Sequence, residues 1–474
     1  MARFVGRRPE LRILTELVGR VRTETAGHCL LIRGRRRIGK SSLVEQFLQE
    51  AEVPSFFFTA SRGSSESGLE DFTDAGLDST LPGRAVFEEG TPHSWSAAFR
   101  LLAEALPEEQ PSIVVIDEVP YLMDDAQVFE AALQRAWDRQ LSRKPVLLLL
   151  VGSDLSMMEA LNNYDRPFHQ RGREMVIGPL NPADIADMLT LDSPTVFDAA
   201  LVTGGLPQLC AEWRAAEDRD VWDFLERSLS DPTSPFLVSA ERSLAAEFPE
   251  QAQARTILGV IASGERTFSN IARAANGIAH SSLSNALDLL VAKRIVVGEL
   301  PVSTGTSRDR RYRVVDPYLR FWMHFILPHM AEIERMRGDI TLERIRRSWT
   351  TWRGRAVEPL IRESLSRLLP SDSLPAAPVV GGYWTRTNDV EIDIVGADRE
   401  PVAKKLFFVG SIKWLEKAAF DNHDLAALAQ ARARLTDIDL PLIAVSRSGI
   451  SCGGIDASFG PTELLQAWRK GFGT

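Results

Sequence analysis

Residues 28–42 read HCLLIRGRRRIGKSS, and this stretch decides the fold. A short apolar run, His28 to Arg33, ends in glycine, and helical spacing resumes from Ser42 to Ala51. Between them lies Gly34-x-x-x-x-Gly39-Lys40-Ser41. Glycines let a backbone wrap phosphate oxygens with its amides turned inward. A helix opening at Ser41 adds its positive dipole end. Lys40 is expected to reach the β- and γ-phosphates of ATP, and the Ser41 hydroxyl to ligate Mg²⁺. Arg35, Arg36 and Arg37 bring positive charge to the loop, and Ile38 and Ser42 complete the expected nucleotide contacts.

Two later strand ends supply what such a loop needs. Asp117 closes the run Ser112–Ile116, where a carboxylate holds Mg²⁺ through water. The adjacent Glu118 is placed to polarise the attacking water. The buried run Val146–Val151 leads into Ser153, which is expected to sense the γ-phosphate. The plainer alternatives are an acidic strand end and a loop serine that caps the next helix.

Composition bounds the rest. A chain of 474 residues is too long for one ordinary core and suggests two or three domains. The formal net charge of -9 excludes a general polycation, so nucleic-acid contact needs a local basic patch. Val146–Val151 is the longest apolar run and is far too short to span a bilayer, so no membrane partner is expected. The opening MARFVGRRPEL lacks a signal-peptide pattern. Cys29, Cys210 and Cys452 offer neither a disulfide framework nor zinc spacing, and a reducing cytoplasm is the expected setting.

The organisation expected is multidomain α/β. Residues 1–180 alternate strand and helix, predicting a P-loop NTPase parallel sheet with helices on both faces. Residues 60–90, rich in Gly, Ser, Asp and Glu, read as a loop or insertion. Residues 181–250 read as a helical lid. Residues 251–317 give three short helices and two strands, the order of a winged helix-turn-helix. Residues 318–474 read as a helical connector and a C-terminal α/β domain.

Taken in order, the motifs resemble the archaeal-type ATPases of the signal-transducing (STAND, MNS-like) branch of P-loop NTPases. FVGRRPEL (Phe4 to Leu11) is similar to the family's opening box, although Arg8 stands where an acidic residue is usual. That box implicates Val5, Gly6 and Arg7 in adenine contact. VVIDEVPYL and LVGSDLSMM match the acidic and sensor strands. PFHQRGREMVIGPL resembles the arginine-bearing segment and points to Arg171 as a catalytic arginine, with a solvated loop arginine as the alternative. GGLP (Gly204 to Pro207) and RYRVVDPYLRFW match the lid and the junction to the C-terminal domain. The resemblance implies a C-terminal restriction-endonuclease-like domain of the DUF234 type. Glu358, Asp393 and Lys413 fall where that fold carries its metal site, but Ser411 replaces the usual acidic residue. A hydroxyl is a weak ligand for hard Mg²⁺, so a degenerate site without cleavage is expected.

The basic patch lies between Arg308 and Arg355, with twelve arginines against six acidic residues. Arg308, Arg310, Arg311 and Arg313 on the wing are candidate DNA contacts, and Trp349 and Trp352 are interleaved with further arginines. The alternative is a coupling domain whose arginines pair with acids elsewhere. Three functions follow: an ATP-operated switch controlling DNA or partner binding, an ATP-regulated nuclease in defence or repair, and an ATP-tuned transcription regulator. A protein partner or self-association is compatible with the first.

Overall fold

The computed structural model describes residues 4–123, 126–161, 163–164, 166, 168–247 and 252–469. The chain divides into two compact units, Met1–Pro179 and Leu180–Thr474.

The first unit is built on a five-stranded parallel sheet. Its strands are β1 (His28–Arg33), β2 (Ser55–Thr59), β3 (Ser112–Asp117), β4 (Val146–Gly152) and β5 (Arg173–Val176). Their order is β2-β3-β4-β1-β5. β3 and β4 are buried at every position, which is why both read as unbroken apolar runs. β4 lies between β1 and β3, with Arg33 opposite Gly152 and Ile116 opposite Leu150. The loop after β1, the acid at the end of β3 and the serine after β4 therefore emerge side by side. In open parallel sheets, ligands bind at this edge.

Residues 60–90 are not a loop. They hold a helix, Ser65–Leu77, capped by the Ser64 side chain, and a 3-10 turn, Arg84–Glu89. Phe72 packs against Phe56 and Phe58 of β2 at ring distances of 4.9 and 5.3 Å. The Asp and Glu residues of this segment lie on its outer face, and Gly68 and Gly76 lie on its buried one.

The second unit begins with five helices between Pro182 and Glu247. The GGLP turn has a packing cause. Gly204 and Gly205 adopt φ of 61 and 68°, and a Cβ on Gly205 would lie 2.2 Å from the Leu180 carbonyl oxygen. Three helices follow, Ala252–Ala262, Phe268–Ala274 and His280–Ala292. An antiparallel pair, β6 (Val296–Glu299) and β7 (Arg311–Val314), completes that segment. A long helix, Gly338–Leu368, leads to a mixed sheet ordered β12-β11-β10-β9-β8. Its strands are β8 (Val379–Trp384), β9 (Glu391–Ala397), β10 (Leu406–Lys413), β11 (Leu442–Ser446) and β12 (Ala457–Phe459). β8, β9 and β10 pair antiparallel, whereas β10, β11 and β12 run parallel. Among the described residues, no helix is long and apolar enough to cross a membrane.

Candidate functional site

The strand ends of the first unit bring Lys40, Ser41, Asp117, Glu118 and Ser153 into one hydrogen-bonded group. Lys40 Nζ donates to the carbonyls of Gly34 (2.9 Å) and Arg35 (3.0 Å) and to Ser153 Oγ (2.9 Å). Ser153 Oγ donates to Glu118 Oε1 at 2.8 Å. Ser41 Oγ donates to Asp117 Oδ2 at 2.6 Å, and Asp117 Oδ1 accepts the Glu118 amide at 2.8 Å. Burial pushes the Lys40 ammonium below the usual lysine range, against the pull of Glu118 and Asp117, and Arg36 adds to the push.

Backbone geometry sets this loop. Arg37 and Gly39 have φ of 63 and 85°. A Cβ on Gly34 would sit 2.6 Å from the Ile177 carbonyl oxygen, so only glycine lets β1 turn here. Ile38 is buried and anchors the loop, while Arg36, Arg37 and Ser42 are exposed at its mouth. Arg36 donates to the hydroxyl of Tyr121, within the stretch VVIDEVPYL, at 3.1 Å. Glu118 itself has φ 54 and ψ 40°, an uncommon conformation for a non-glycine residue, and such strain clusters at functional sites.

The opening box takes a supporting role. Val5 and Gly6 are partly buried, and Gly6 has φ of 83°. Arg7 is buried, and its guanidinium donates to the carbonyls of Ile38 (2.9 Å) and Gly178 (2.6 Å). Arg7 thus ties the phosphate loop to the segment after β5 rather than facing solvent.

Arg171 was expected as a catalytic arginine, with a loop arginine as the alternative. It precedes β5, whose first residue, Arg173, pairs with Leu30, several residues before the phosphate loop. Its guanidinium forks onto Asp138 at 2.8 and 2.9 Å. The pairing is set by the helix Ala126–Arg139, which the spacing of the arginine segment does not reveal.

In the second unit, Glu358, Asp393 and Ser411 come together and Lys413 does not join them. Asp393 Oδ2 accepts from Ser411 Oγ (3.0 Å) and from the Ile412 amide (2.8 Å). Lys413 Nζ instead donates to Asp424 at 2.9 Å. Arg362, one turn after Glu358, donates to Glu358 Oε2 at 3.2 Å and to the Asp393 carbonyl at 2.6 Å. A guanidinium therefore bridges the two elements from which metal ligands were expected. Burial pushes both carboxyls above the usual range. Arg362 opposes that shift at Glu358, and the Ile412 amide opposes it at Asp393. Among the described residues, no group of three or more His, Cys, Asp or Glu side chains is arranged to hold a metal ion.

The wing arginines split into two sets. Arg308 and Arg310 are exposed. Arg311 and Arg313 alternate onto the same face of β7 and turn inward. Arg311 pairs with Glu391 and donates to Asn388 at 2.7 Å, and it lies 4.5 Å from the Trp384 ring centre. Arg313 pairs with Glu299 at 2.7 Å. Trp349 and Trp352, expected at a basic surface, are core residues stacked at 5.5 Å.

Residues 4–198 match a family described as an ATPase domain predominantly from Archaea. Residues 322–425 match the DUF234 family, described as archaea bacterial proteins of unknown function. An uncharacterized protein of Methanocaldococcus jannaschii is 24% identical over 438 residues, spanning 92% of this chain and 93% of the relative. A solved Walker-type ATPase of Pyrococcus abyssi is 21% identical, covers 68% of this chain and 96% of its own, and has a TM-score of 0.48. The ORC2 protein of Aeropyrum pernix, solved in ADPNP-ADP complexes, is 12% identical, covers 72% of this chain and 95% of its own, and has a TM-score of 0.43.

Proposed function

From a chain that carries an archaeal-type ATPase domain followed by a DUF234 domain, we propose an ATP-hydrolysing switch of the STAND type. In this reading, nucleotide state controls DNA or partner binding by the C-terminal half. The observation that carries it is the relay Lys40–Ser153–Glu118 beside the pair Ser41–Asp117. The donor set suits a nucleoside triphosphate: one ammonium, a hydroxyl, two carboxylates and a loop of amides. Bound Mg²⁺ would neutralise charge on the phosphate oxygens, and Ser41 and Asp117 are the residues that would hold it. Lys40 is drawn to phosphate and must then give up some of its present partners, including Ser153. Ser153 thereby passes the occupancy of the loop to Glu118, which orients the attacking water. A γ-phosphate that reorders such contacts is the usual input of a nucleotide switch.

The nuclease reading is weaker, because Arg362 supplies positive charge between Glu358 and Asp393 and Lys413 is engaged by Asp424. The full chain with Mg²⁺ is expected to leave plasmid DNA intact.

The test is phosphate release by the purified chain, followed by hydrogen exchange over residues 180–469 with a non-hydrolysable ATP analogue and with ADP. Different protection in the two states supports the switch. Identical protection would leave an ATPase without the proposed output.

A further inference from the structure

Six arginines of the second unit wall one cavity: Arg266, Arg311, Arg313, Arg320, Arg355 and Arg362. The carboxylates beside them are already shared out. Glu391 takes Arg311, Glu299 takes Arg313, and Glu358 takes Arg362. Arg266 reaches Glu391 only at 3.9 Å. Among the described residues, no carboxylate lies within ion-pair distance of Arg320 or Arg355. Arg320 instead rests 5.8 Å from the centre of the Trp352 ring.

Like charges held together in a poorly hydrated place are unstable unless an anion offsets them. Arg320 registers that field. Burial, with Arg266, Arg313 and Arg355 pressing in the same direction, lowers its guanidinium to about 10, against the pull of Glu358. The cavity measures about 30 Å³. One water needs roughly 10–15 Å³ on the same scale, so the space suits a compact anion of a few heavy atoms and not a base or a sugar. Two larger cavities, of about 170 and 160 Å³, adjoin it, and Arg320 lines both. Their walls are mainly apolar and include Trp352. The small charged hole thus opens beside room for an organic body.

We propose that this cavity is a receptor for a phosphate group, either free or carried by a nucleic-acid strand. Planar guanidinium forks match phosphate oxygens in pairs, which is the recognition that arginine supplies and lysine does not. The site is distinct from the phosphate loop, and all its residues lie between Arg266 and Trp384. It goes beyond the ATPase reading and does not depend on it.

The test uses the full chain with the phosphate loop saturated by Mg-ADP. Three probes are titrated: inorganic phosphate, a short single-stranded oligodeoxynucleotide with a 5′-phosphate, and the same strand with a 5′-hydroxyl. Binding of inorganic phosphate as tightly as the phosphorylated strand identifies the free anion as the source. A phosphorylated strand that binds at least tenfold tighter than both other probes identifies a nucleic-acid end. Arg355→Gln removes an exposed arginine and is expected to fold, and Arg320→Gln removes a half-buried one. Each is expected to weaken the favoured probe about tenfold with ATP turnover unchanged. Lys40→Ala is expected to weaken ATP binding at least tenfold and leave this binding intact, which separates failure of either site from failure of the other. Equal affinity of wild type and folded Arg355→Gln for every probe, or no binding of any phosphorylated probe, would overturn the proposal.

Discussion

At the scale of the residue, Lys40 and Glu118 carry separable tasks. Lys40 is the only ammonium in the relay, and its present partners are two carbonyls and a hydroxyl. Lys40→Ala is expected to weaken Mg-ATP binding at least tenfold, about 1.4 kcal/mol, in a calorimetric titration. A folded variant with wild-type affinity would remove the site from this loop. Glu118 accepts from Ser153 and sits in a left-handed conformation directly after β3. Glu118→Gln keeps size and backbone and removes the base. ATP should stay bound while turnover falls about 10²–10⁴-fold. Unchanged phosphate release would place the base elsewhere. The members of this relay were legible because each stands at a strand end, where a parallel sheet gathers residues far apart in sequence. Arg362 was not legible. It is one arginine among many on a long helix, and its meaning comes from meeting the Asp393 carbonyl across the fold. The pairing of Arg171 with Asp138 was not legible for the same reason, since Asp138 is a tertiary neighbour.

At the scale of the element, strands that are buried on both faces announced themselves, and elements defined by packing did not. β3 and β4 are continuous apolar runs and were readable to within a residue or two. β5 exposes three of its four residues, and β8 contains Gly381 and Gly382, so neither shows a strand pattern. The helix Ser65–Leu77 carries acids on its outside and two glycines, Gly68 and Gly76, on its buried face, and its contact with β2 makes it a helix of this fold. The β6–β7 hairpin shows how an element redirects its residues. The linking segment docks on β8 through the Val302 amide to the Gly382 carbonyl (2.9 Å) and Trp384 Nε1 to the Asp309 carbonyl (2.8 Å). Only Arg308 and Arg310 are left facing solvent among the four wing arginines. If the hairpin meets DNA, Arg308→Ala and Arg310→Ala should each reduce the salt slope of binding by about one unit. Arg311→Ala should instead lower thermal stability, because it strips a partner from Glu391 and a cation from Trp384. An Arg311→Ala protein of unchanged stability and flattened salt slope would mean that the hairpin does not dock in this way.

At the scale of the whole molecule, the second unit is held by charge as well as by apolar packing. Asp198, on the helix Ser193–Thr203, is buried between Arg353 of the long helix (3.2 Å) and Arg447 after β11 (2.9 Å). Burial pushes the Asp198 carboxyl up, and Arg447 and Arg353 pull against it. Arg353 is fully buried, and its remaining carboxylate partner is the half-exposed Glu416 at 2.8 Å. Three elements distant in sequence therefore share one carboxylate. Removing one member of a buried ionic group leaves the other charges uncompensated, which typically costs about 3–5 kcal/mol. Glu416 retains part of the compensation, so Asp198→Ala is expected at the lower end, about 3 kcal/mol. Eight of the ten tryptophans lie beyond residue 180, so tryptophan fluorescence reports mainly on this unit during denaturation. If the ionic group joins the early helices to the C-terminal sheet, the damage must appear on both sides of it. Hydrogen exchange in Asp198→Ala should rise in Ser193–Thr203 and in β10 and β11 together. Exchange that rises only in Ser193–Thr203 would show that these helices and the sheet unfold separately, and that Asp198 secures one helix rather than the unit.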